Sequence, residues 1–146
     1  MKLRSYTTAA FSLVEVTLSL GIAAFCLIAV FGLMPVGVQT NRNASSQTAA
    51  TNIMAAVVAD LRATPSASNT STQFGITFGT PRTLYFDGAG QDATLLGANS
   101  RYQVNTTFPS SPTGLRYADI KVTWPAAATS ANASGSVEMF AAFDRN

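Results

Sequence analysis

The chain has 146 residues, of which 47% are hydrophobic and 11% charged, and its formal net charge is +2. That size suits one domain beside a helical stalk. Lys2 and Arg4 account for the whole excess of charge: without residues 1–10, seven basic side chains stand against seven acidic ones, so no basic surface for nucleic acid is expected.

Several reaction classes drop out with the composition. The sequence has no histidine, hence no imidazole base and no common metal-ligand cluster. The single cysteine, Cys26, lies inside an apolar run and reads as a small apolar side chain rather than a thiol nucleophile. The residue before it is Phe25, too large for a lipid-attachment site. Serine and threonine are abundant, yet none has a base at a recognisable spacing. We therefore expect no enzyme and no cofactor.

In chain order, residues 1–10 read as a short basic leader. The stretch Ala10-Phe11-Ser12-Leu13-Val14-Glu15 then opens an apolar run in which no residue from Val16 to Asn41 is charged. Leu, Ile, Val, Ala, Phe and Met recur on every side, and a helix of that composition is long enough to cross a bilayer, which takes about 20 residues. The run exceeds the 7 to 15 residues or so of an ordinary secretory signal. With Lys2 and Arg4 before it and Arg42 next after it, the positive-inside rule leaves the N-terminus cytoplasmic and the rest of the chain outside. Gly32, Pro35 and Gly37 mark a bend where the helix leaves the membrane.

Glu15 is the anomaly in this run. An acid near the membrane end of such a helix costs on the order of 2 to 3 kcal/mol and asks for a partner. Two readings stand side by side: a charge in the first helical turn, favoured by the helix dipole, or an acid reserved for a specific contact.

The spacing predicts an amphipathic helix over 41–63, with Ile53, Val57 and Leu61 on one stripe, Met54 and Val58 beside them and Ala50 extending it. Asp60 flanks that face, Arg62 points away, and Pro65 stops the helix. Thr64 to Gln73 reads as a polar loop without an apolar anchor. Strand patterns follow at Phe74–Phe78, Thr83–Asp87, Arg101–Phe108, Leu115–Trp124 and Val137–Phe143. Asp87-Gly88-Ala89-Gly90 is a turn signal, favoured over a calcium loop with Asp92 because the ligands are too few. Arg116 falls on the apolar side of its strand. Trp124 and Tyr85-Phe86 read as aromatics of a sheet face, in preference to a recognition surface.

The expected fold class is α+β: a long N-terminal helix, its first half in lipid, packed through its second half on a small antiparallel sheet. The expected organisation is a leader at 1–10, a transmembrane and assembly helix at 11–38, and an extracytoplasmic domain at 39–146.

The leader with Lys2 and Arg4, the small residue Ala10, then Phe11-Ser12-Leu13-Val14-Glu15 and an unbroken apolar helix together resemble the processing region of type IV pilins and type II secretion pseudopilins. Ala10 stands where that family usually has Gly. The closing segments, Val122-Thr123-Trp124-Pro125 and Val137 onward, also look like minor pseudopilins and Verru_Chthon cassette proteins. The resemblance implies a pilin-like fold and cleavage by a prepilin peptidase between Ala10 and Phe11. It also implies N-methylation of Phe11 and use of Glu15 in assembly. The implied partners are the peptidase, other pilin or pseudopilin subunits, an assembly platform and the membrane. The implied location is the inner membrane, then a cell-envelope filament. The rival is a single-span anchored binding domain that never polymerises and is indifferent to Glu15.

Overall fold

The computed structural model describes residues 11–93, 95–109 and 115–144. One helix and one sheet make up an α+β arrangement: α1 (Leu13–Ala63), β1 (Arg82–Phe86), β2 (Asp92–Ala93), β3 (Tyr102–Thr107), β4 (Leu115–Trp124) and β5 (Gly135–Asp144). The sheet order is β2-β1-β3-β4-β5 and every pairing is antiparallel. The chain divides into two compact units, Met1–Arg42 and Asn43–Asn146.

In the second unit, the apolar stripe of α1 makes the core. Ala50, Ile53, Met54, Val57, Val58 and Leu61 are all buried, at the spacing that puts them on one side of a 3.6-residue helix. They pack against the inward residues of the sheet, among them Leu84, Phe86, Val104, Ile120 and Val122. Each large apolar side chain so buried contributes about 1.5 to 3 kcal/mol of transfer free energy. The alternation of β3 is complete, with Tyr102, Val104 and Thr106 inward and buried. In β4, Ala118, Ile120 and Val122 are inward, and Asp119 and Lys121 lie on the opposite face, because successive side chains of a strand alternate.

Four segments add to or depart from what the sequence predicts. Phe74–Phe78 is not a strand: Gly75 (φ 61°) and Gly79 (φ 88°) turn the backbone out of extended geometry, which glycine alone allows without strain. A single bridge, Thr70 to Thr77, remains. The alternating pattern nevertheless reports burial correctly, for Phe74, Ile76 and Phe78 are all in the core. The Thr64–Gln73 loop does have anchors, and they are polar. The Asp60 carboxylate accepts the Gln73 and Phe74 backbone N–H groups at 2.9 and 3.0 Å, and buried Ser71 accepts the Ile76 N–H at 2.9 Å through its hydroxyl. Finally, β5 runs from Gly135 to Asp144, beyond both expected ends, and two-residue β2 has no signal in the sequence.

Arg116 shares inward parity with Ala118 yet is exposed. Its guanidinium passes Gly79, where a Cβ would stand 3.6 Å from Nη1 in ordinary contact, and the long aliphatic stem lets the charge reach water. Phe86 is a core aromatic, edge-on to Phe74 at 5.6 Å. Trp124 is half-buried and packs edge-on to Tyr102 at 6.2 Å.

Candidate functional site: the N-terminal helix

The first unit contributes the part of α1 that carries the candidate site. The helix is unbroken from Leu13 and continues through Pro35; a proline there withholds one N–H from the ladder, at a carbonyl four residues earlier. The Val16 N–H bonds the Ser12 carbonyl at 3.1 Å, which makes Ser12 the residue that caps the helix and sets Glu15 in its first turn. The sequence Ser12-Leu13-Val14-Glu15 thus places an acid at the positive end of the helix dipole, where it is favoured by about 0.3 to 1 kcal/mol at an exposed site. Position alone accounts for an acid here. It does not account for the long apolar run behind it.

Every residue from Phe11 to Arg42 is exposed, Phe11 to 81%. Leu18, Leu20, Ile22, Phe25, Ile28 and Phe31 are typical of what this surface offers to water. Leaving a large apolar side chain in water forfeits about 1.5 to 3 kcal/mol, so the sum over this segment is on the order of tens of kcal/mol. The helix is long and apolar enough to cross a membrane.

The hydroxyls of the segment fit apolar surroundings. Thr17 donates to the Val14 carbonyl at 3.0 Å, Ser19 to the Glu15 carbonyl at 2.7 Å and Thr40 to the Val36 carbonyl at 2.9 Å. Each of these three hydroxyls is satisfied within its own helix, the condition lipid imposes on a spanning segment. Cys26 is a free thiol on this surface.

Of the residues singled out by sequence, Phe11 and Glu15 lie four positions apart at the start of α1. Ala10 and the rest of the leader lie outside the described residues. The turn at Asp87 is a turn in the structure: one carboxylate oxygen accepts the Ala89 and Gln91 N–H groups at 2.8 and 2.9 Å, and Gly90 takes φ 81°. Among the described residues no group of three acidic, cysteine or histidine side chains is placed to hold a metal ion.

Sequence reasoning passed over Asp60. It took the residue as a flank of the buried face, whereas the carboxylate is buried and ties α1 to the chain fourteen residues later. The available signal was a lone acid beside an apolar stripe, just ahead of a proline-led loop. No family model, no curated protein and no solved structure matches the chain.

Proposed function

We propose that this chain is a minor pilin or pseudopilin, a structural subunit made as a precursor in the cytoplasmic membrane. A prepilin peptidase cuts between Ala10 and Phe11, and Phe11 becomes the methylated N-terminus. The helix from Phe11 rests in the bilayer with the C-terminal domain outside, and an assembly platform then moves it into a type IV pilus or type II secretion-like filament. There the apolar helices of neighbouring subunits bury one another.

The observation that carries this reading is the coincidence at one helix end. A processing-type sequence with Phe11 and Glu15 heads a helix whose apolar surface is exposed on all sides. A plain anchor requires the apolar surface and is indifferent to the acid. In the proposed filament, Glu15 pairs with the cationic N-terminal amine of an adjacent subunit. In surroundings of low dielectric such a pair fixes register, and removing one member leaves the other uncompensated.

Replacing Glu15 by alanine tests the reading. Membrane fractionation and capture between differently tagged copies separate insertion from assembly. The expected result is normal insertion with assembly lost or strongly reduced. Glu15→Ala copies that enter filaments as efficiently as the parent contradict the proposal.

A further inference from the structure

The second unit carries an aromatic knob and an aromatic-floored cleft on different sides. The knob is Phe140, 68% exposed, on the face of β5 opposite Ala141 and Phe143, which point into the core. β5 is the terminal strand of the sheet, so the main-chain groups along its free side have no sheet partner among the described residues. The cleft, about 250 Å³, lies between α1 and the β1–β2 turn. Ile53, Phe74 and Phe86 line it with buried apolar surface, and the small residues Ala49, Ala56 and Ala89 border it. Asn52 and Gln73 add amide groups to the lining, chemistry that suits exposed main-chain groups of a strand edge. The volume is of the order a phenyl ring requires.

Asp119 beside the knob and Arg101 beside the cleft are of opposite sign, and Asp87, the acid at the cleft, is engaged by the Ala89 and Gln91 N–H groups of its own turn. Phe140 faces Asp119 across the β4–β5 ladder. Glu138, on the same face, is held by Lys121 at 3.1 Å. Asp119 has no such partner: its Oδ1 is buried with no hydrogen bond among the described residues. Beside the cleft stands Arg101, exposed, its side chain against Gly88 and its Nη2 donating to the Ser46 hydroxyl at 3.1 Å.

We propose that Phe140 of one copy seats in the cleft between α1 and the β1–β2 turn of a second copy, with Arg101 of that second copy meeting Asp119 of the first. The inference rests on the reading of the chain as a filament subunit and adds where its extracytoplasmic parts touch. Knob and cleft lie toward opposite edges of the sheet and on opposite faces, so the contact is heterologous: each copy offers one of each, and the pairing propagates into an open array instead of closing as a two-fold dimer. One ring and its neighbours bury a few hundred Å², short of the roughly 1,000 Å² that a stable interface needs. The contact therefore sets the register of subunits already gathered by their apolar helices.

Site-directed disulfide trapping tests this in membranes that hold two differently tagged full-length copies, both Cys26→Ser. One carries Ala142→Cys, exposed beside Phe140 on the same face; the other carries Ala89→Cys at the cleft. Under a copper–phenanthroline oxidant the expected product is a mixed-tag dimer, and a ladder when one chain carries both cysteines. Phe140→Ser abolishes the cross-link. Arg101→Glu on the cleft copy lowers the yield several-fold, and Asp119→Lys on the knob copy restores it. Copies that capture one another through their tags but give no more mixed dimer than an Ala67→Cys and Ala142→Cys control overturn the inference while leaving the filament reading intact. Copies that do not capture one another overturn both.

Discussion

Asp60 holds Phe74: its Oδ2 accepts the Phe74 N–H at 3.0 Å, while Oδ1 accepts the neighbouring Gln73 N–H at 2.9 Å. One carboxylate in the last turn of α1 thus pins the start of the segment that carries Phe74, Ile76 and Phe78 into the core. Hydrogen bonds to a charged acceptor are the stronger kind, and a buried N–H left without an acceptor costs its desolvation. Asp60→Ala should destabilise the fold by about 3 kcal/mol. Asp60→Asn, which keeps one accepting oxygen, should lose roughly half as much. Thermal unfolding of the detergent-solubilised protein, followed by aromatic circular dichroism, checks the order; equal stability of all three proteins refutes it.

Gly135 sits under Trp124, and a Cβ at that position would clash with the indole ring. The two residues are directly paired between β4 and β5, so the ring lies over the glycine as a cross-strand contact. Gly135→Ala should cost about 1 to 3 kcal/mol by overpacking. Pairing it with Trp124→Leu should recover part of that loss, giving a non-additive double-mutant cycle. Simple additivity would show that the two side chains do not compete for the same space.

Thr106 is fully buried on the inner face of β3, and its hydroxyl finds no partner among the described residues. Valine has the same shape without the polar group. Thr106→Val should raise stability by about 1 kcal/mol, because an unsatisfied buried hydroxyl is removed and no cavity is made. A lower melting temperature for the variant would mean that the hydroxyl is satisfied in the folded protein.

Burial raises the Asp119 carboxyl above its ordinary value of 3.8; the nearby Glu138 charge pushes the same way and Lys121 opposes them. The folded protein therefore holds this proton more tightly than the unfolded chain. The resulting stabilisation is complete below about pH 3.8 and is lost as pH rises through the raised folded value. Asp119→Asn should remove that pH-dependent component without loss of stability at neutral pH. Unfolding measured across the acid range in parent and variant checks the sign. A variant whose pH dependence matches the parent's contradicts it. The same argument gives Asp119 a reason to seek a cation outside its own copy.

Much of the fold was legible because burial follows periodicity. The stripe from Ala50 to Leu61 and the alternation of Tyr102, Val104 and Thr106 predict the faces that meet in the core. Phe74–Phe78 shows the limit of the method. Alternation reports which side chains are inward, but Gly75 and Gly79 decide that the backbone delivering them is a loop. Asp60 and the Arg116–Gly79 contact depend on residues far apart in sequence, and local pattern carries no information about either. At the candidate site, the apolar run and Glu15 could be read directly, whereas capping by Ser12 emerged only from the backbone geometry at the start of α1.

The central claim is that the chain is processed as a prepilin. The most direct test is the mass of the N-terminal peptide of the protein taken from native membranes. Our account predicts a peptide that begins at Phe11 and is heavier by one methyl group. A peptide that still carries Lys2 and Arg4 would contradict it, leaving an uncleaved anchor and removing the main support for an assembly role of Glu15.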